Sequence, residues 1–158
     1  MERLKMNIAK HLKESSSQRS PKKRFFYGTK HISVVIPTLL LASLIGTYLD
    51  LYFVGKGIYY FPKRPLPDIF PINIFFTLIG LPLLVGLFLY VCQKVNVWKK
   101  AALILLLSLF ISIGEKQAET WELFIHNDSW KHIYSFIGYA LYLTFIYVFY
   151  RWFKRIRD

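Results

Sequence analysis

The strongest chemical pattern in the chain is a row of five residues, Ser108, Ser112, Glu115, Glu119 and Glu122, which recur at steps of four and three. That spacing puts them on one face of a helix. A row of carboxylates can hold a cation, serve as acid or base, or join imidazoles around a metal, and His126 and His132 follow closely. Further polar residues sit where hydrophobic segments end: Asp50, and Asn73 with Thr77 and Gly80 on a second face. Lys56 and Arg64, on an outer loop, are the expected cationic partners, with Lys116 one residue round the helix from Glu115. The candidate ligand-binding cluster is therefore Asp50, Lys56, Arg64, Asn73, Glu115, Glu119, Glu122 and His132, with His126 as a further partner. The histidines and glutamates lack a defined ligand spacing, so no metal or cofactor is expected. Phosphate-binding glycine loops, metalloprotease helices and paired-cysteine sites are absent from the sequence.

The segments that must position these residues are unusually apolar. The chain has 158 residues, 54% of them hydrophobic and 18% aromatic. One domain is the expectation at this length. Four blocks, 32–55, 70–92, 101–120 and 133–150, are long enough to cross a bilayer, which takes about 20 residues of helix. Stretches such as 81–91 and 102–114 are apolar all round, so lipid is their natural solvent. The expected fold is all-α: a polytopic membrane protein with four transmembrane helices in an antiparallel bundle over 32–152. A basic tail precedes it at 1–31, and a second follows at 153–158.

Charge sets the expected orientation. Sixteen of the 21 Lys and Arg fall in the first 31 residues, the 93–100 loop and the tail after Tyr150, against five elsewhere. The positive-inside rule then makes both termini cytoplasmic and turns loops 56–69 and 121–132 outward, in a cell membrane. Leu4, Ile8 and Leu12 recur among basic residues, as in a helix lying on anionic inner-leaflet lipids, and residues 15–24 read as a flexible basic linker. Nucleic acid is not an expected partner despite the net charge of +12, because the charge lies at membrane boundaries and no recognition motif accompanies it. A homo-oligomer or a membrane-protein partner remains open. Trp98 and Trp152 fall at the expected inner boundary, Trp121 and Trp130 at the outer one.

The polar residues of all four spans gather toward the outer side, while 34–42, 83–91, 101–107 and 143–150 are almost free of polar groups. At about 1.5 Å per residue, Glu115 lies about 21 Å from a start at Ala101 and inside a core about 30 Å thick. A carboxylate at that depth must face protein or water. Four readings follow: carboxylates that stabilise the bundle, an outward-facing pocket for a partner or small ligand, a cation- or proton-coupled transporter or channel, and a membrane-embedded enzyme. The apolar inner halves offer no continuous polar path. A non-enzymatic protein with an outward-facing, carboxylate-lined cavity is the expectation. Loop 56–69, stiffened by Pro62, Pro65 and Pro67, is expected to be ordered, with Tyr59, Tyr60 and Phe61 at the headgroups and Lys63 and Arg64 meeting phosphates or the glutamates.

The segments GTYLDLYFVGKGIYYFPKRPLPDIFPIN (46–73), EKQAE (115–119) and WKHIYSFIGY (130–139) resemble a family of small, uncharacterised multi-pass membrane proteins of spore-forming Gram-positive bacteria. The resemblance covers about residues 32–152. It implies a bacterial plasma membrane and makes Asp50, Pro62, Pro65, Pro67, Glu115, Glu119, Trp130, Lys131 and His132 family-typical positions. It implies no activity.

Overall fold

The computed structural model describes residues 22–128 and 130–157, with side chains from Ile32 onward. The interfacial helix expected around Leu4, Ile8 and Leu12 lies outside the described residues, as does Ser129. The described chain is helical: α1 (Lys22–Gly55), α2 (Leu81–Cys92), α3 (Val97–Thr120) and α4 (His132–Arg157). Helix α1 begins within the expected linker, whose last three residues, Lys22, Lys23 and Arg24, are good helix formers. Between the helices, β1 (Tyr59–Tyr60) pairs antiparallel with β2 (Ile125–His126). Three segments are long and apolar enough to cross a membrane: Ile32–Gly55, Val97–Thr120 and His132–Arg157.

The block at 70–92 differs from its expected form. Its apolar helix runs only over Phe76–Cys92, as five residues of wide π turn and twelve of α2. Pro82 stands just beyond the wide turn, at the start of α2. A proline lacks the N–H and crowds the carbonyl four residues back, which favours widening here, although α1 continues through Pro37 as α-helix. The Leu81 N–H instead reaches back five residues to the Phe76 carbonyl. This leaves the Thr77 carbonyl without its helical partner, and Ser43 of α1 donates to it at 2.7 Å. A local defect in one helix thereby becomes a tie to another. Gly46, one turn further along α1, faces Leu81 so closely that an added Cβ would stand 2.2 Å from Leu81 Cδ2.

From Val34 onward the helices form one compact unit. Its core joins Val34 and Ala42 of α1, Val85, Phe88 and Leu89 of α2, and Leu143 and Ile146 of α4, with Leu103 and Leu107 of α3 packed against them. Small polar residues are also buried here: Thr38, Ser43, Thr77, Ser108, Ser112 and Ser135. Large aliphatic residues point the other way, with Leu40, Leu44, Leu83, Phe110 and Leu141 all about two-thirds exposed. Water-facing helices do not carry continuous apolar faces of this kind, and close contact through small residues is how helices associate in lipid. Asn96 starts α3, its side chain accepting from the Lys99 N–H at 3.0 Å.

A second, smaller core of Tyr59, Phe61, Ile72 and Phe124 lies under the two loops that carry β1 and β2. Tyr59 and Phe61 are buried there and do not face outward as anchors, while Tyr60 is exposed. Strand alternation explains the difference.

Candidate functional site

Two helix ends aim the loops that build the site. At the end of α1, the N–H of Gly57 bonds the Val54 carbonyl and that of Ile58 bonds the Phe53 carbonyl. This cap needs a left-handed residue after the helix, and Gly57 supplies it at φ +67°. The chain then enters β1, whose register places Tyr59 opposite His126 and Tyr60 opposite Ile125. Asn127 secures the pairing, its side chain donating to the Gly57 carbonyl at 2.9 Å. Arg64 holds the rest of this loop by donating to the carbonyls of Phe61 at 2.7 Å, Phe70 at 2.8 Å and Pro67 at 3.2 Å.

A relay of polar side chains runs beneath the paired loops. The Tyr59 hydroxyl donates to Asp50 Oδ1 at 2.6 Å, and the Tyr139 hydroxyl donates to Glu115 Oε1 at 2.5 Å. Burial, reinforced by the Asp50 carboxylate, holds the Tyr59 phenol far above its ordinary range, so it remains a donor. His126 stands between the two glutamates of α3, with Nδ1 2.5 Å from Glu119 Oε1 and Nε2 4.0 Å from Glu115 Oε2. His132, the first residue of α4, places Nε2 3.6 Å from Glu119 Oε2. Trp130 stacks on the His126 ring at 5.6 Å and donates from Nε1 to Ser135 Oγ at 3.0 Å. It belongs to the site, just before the start of α4.

Asp50, Asn73, Glu115 and His126 open on a cavity of about 740 Å³, whose remaining wall is mostly aliphatic and aromatic. Several buried polar atoms at the site have no hydrogen-bond partner: Asp50 Oδ2, Glu115 Oε2, His126 Nε2 and His132 Nδ1. Such atoms are costly unless water or another group meets them.

The expected cluster is therefore gathered in part. Asp50, Glu115, Glu119 and His132 come together, and Asn73 lines the cavity while its Oδ1 accepts from the Phe76 N–H at 3.2 Å. Lys56 is exposed and lies 5.9 Å from the Tyr52 ring, and Arg64 is committed to carbonyls. Neither cation meets the carboxylates, which corrects their placement in the cluster. Glu122 also leaves it. Helix α3 ends at Thr120, so the helical period that would align Glu122 with Glu119 stops first. Glu122 pairs instead with Lys63 at 3.1 Å on the exposed surface.

Glu122 occupies the left-handed position of the α3 cap, at φ +56°, with its N–H on the Glu119 carbonyl and that of Leu123 on the Ala118 carbonyl. Glycine is the residue such a cap favours, and an exposed ion pair contributes little. Glu122→Gly is thus expected to raise stability by up to about 1 kcal/mol. A thermal-unfolding midpoint below that of the wild type would show that the Lys63 pair outweighs the backbone strain.

His126 was visible in sequence only as one of several partners, Tyr59 as an interfacial aromatic, and Tyr139 as one of the polar residues toward the outer end of the fourth span. Their roles depend on a two-residue strand pair and on contacts between distant segments, which leave no periodic trace. No protein-family model matches the chain, and comparison with curated proteins and with solved structures finds no match.

Proposed function

We propose that this is an integral membrane protein of four spans in an antiparallel bundle, with both termini cytoplasmic, whose outward-facing cavity binds an organic ammonium ligand without converting it. The observation that carries the ligand class is the pair of carboxylates on one cavity. Asp50 and Glu115 each keep one buried oxygen unmatched, and no lysine or arginine ion pair among the described residues reaches either. An alkylammonium head would bring the missing charge and N–H donors, and Ile45, Leu49, Leu81 and Phe145 would receive its apolar part.

Phe76–Cys92 serves as the fourth span: its Leu83 and Leu87 are exposed like the outward residues of the longer helices, while its other face joins the common core. The basic residues flanking the spans support the orientation, and the basic tails fit anionic inner-leaflet lipids. The spore-former resemblance belongs to the same proposal. Asp50, Glu115, Glu119, Trp130 and His132, all family-typical, contribute to one site.

Orientation is checked by thiol labelling in intact cells. A cysteine at Leu66 should react with an impermeant reagent, whereas cysteines at Ser16 and Arg157 should be shielded, and the native Cys92 is buried. The reverse pattern would refute the topology. For the ligand, phenylbutylammonium should raise the thermal midpoint of the protein in lipid nanodiscs in a concentration-dependent way, and phenylbutanol should not. The effect should vanish in Asp50→Asn and Glu115→Gln. Equal stabilisation by amine and alcohol, or by neither, would count against an ammonium site.

A further inference from the structure

We propose that Glu119, His126 and His132 form a binding site for a divalent transition-metal ion of the zinc class. One ligand atom from each residue lies within 4.8 Å of the others. Two ligands held about 2.0–2.1 Å from a tetrahedral zinc stand about 3.4 Å apart. Glu119 Oε2 and His132 Nε2 are separated by 3.6 Å. On the other side of the same carboxylate, His126 Nδ1 meets Glu119 Oε1 at 2.5 Å. That separation suits a hydrogen bond and must widen toward about 3.4 Å for both groups to hold one ion.

The second observation is independent of that convergence. His126 has a side chain only 6% exposed, and its Nε2 is buried without a partner. A metal on Nδ1 fixes the proton on Nε2, facing Glu115 Oε2, itself buried and unmatched at 4.0 Å. Tyr139 already holds the other oxygen of Glu115. Closed to hydrogen-bond distance, the pair of Nε2 and Oε2 would be the arrangement in which a carboxylate orients a metal-bound imidazole and raises its basicity. A metal on Nδ1 gives Nε2 and Oε2 this role with a neutral imidazole, where without metal the same contact needs a protonated ring.

The donor set selects the ion. Two imidazoles and one carboxylate suit zinc and its neighbours, while magnesium and calcium prefer shells of oxygen. Three protein ligands leave a fourth position open to water or another ligand. The ligands come from the last turn of α3, from β2 and from the first turn of α4, so a bound ion would join three elements at once.

The test uses the full chain, purified, freed of any affinity tag and stripped of metal, then dialysed against buffered Zn²⁺. Expected is one ion retained per chain, with visible d–d absorption when Co²⁺ is substituted, and affinity about tenfold or more weaker in Glu119→Gln and in His132→Ala. His132 is 42% exposed at its side chain, and an unchanged far-UV circular dichroism spectrum of metal-free His132→Ala checks that the fold is retained. Asp50→Asn, at a residue that is none of the three ligands, should retain zinc as the wild type does. Failure to retain zinc at micromolar free metal, or undiminished retention in both ligand variants, would overturn the proposal. Equal retention of Mg²⁺ would overturn the ion class.

Discussion

Tyr139→Phe is expected to destabilise the protein more than Glu115→Leu, although the first removes one oxygen and the second an entire charged group. Glu115 has a side chain only 14% exposed, and its principal donor is the Tyr139 hydroxyl. Removing that hydroxyl strands a buried carboxylate whose other oxygen is already unmatched. Breaking such a contact from one side costs about 2–4 kcal/mol. Glu115→Leu removes the charge and strands only a neutral hydroxyl, at about 1–2 kcal/mol. The double variant should recover part of the Tyr139→Phe loss, because no stranded group remains. Unfolding by SDS in mixed micelles, run as a double-mutant cycle, measures the coupling directly. Strict additivity would mean that the two side chains do not depend on one another in solution.

The second large effect is expected at Gly46. A Cβ there meets the end of the Leu81 side chain at 2.2 Å, and the Tyr142 hydroxyl stands 3.9 Å away. A methyl group can displace a terminal methyl, so Gly46→Ala should bind phenylbutylammonium nearly as the wild type does. Leucine is different. Its branched end must enter the cavity that Gly46 lines, in the space proposed for the ligand's apolar part. Gly46→Leu should weaken amine binding more than tenfold and cost about 1–3 kcal/mol through overpacking. Zinc retention should be unchanged, since none of the three ligands touches Gly46. Undiminished amine binding in this variant would place the amine elsewhere on the protein.

These variants mark where sequence and structure part. The long apolar helices were legible because composition and length alone decide whether a segment can cross lipid. The inward turn of Glu115 and Glu119 was legible for a related reason: a helical period persists as long as the helix does. Glu122 shows the limit, since the period was extended past the turn in which α3 stops. Arg64 failed on different grounds. Pro62, Pro65 and Pro67 remove N–H donors from their loop, leaving carbonyls that the five-donor guanidinium satisfies before any glutamate can claim it. His126 owes its central position to pairing between residues 67 apart, Tyr59 with His126. No local pattern encodes such a contact.

The wide turn at Phe76–Gly80 also bears on how this chain should be aligned with any relative. A π turn holds one residue more than the α turn it replaces, so it is equivalent to a single-residue insertion tolerated without a loop. A relative lacking both Pro82 and one residue of 76–80 would present the same face of Leu81–Cys92 to α1. A one-residue gap at this place is therefore the expected mark of descent, and not evidence against it.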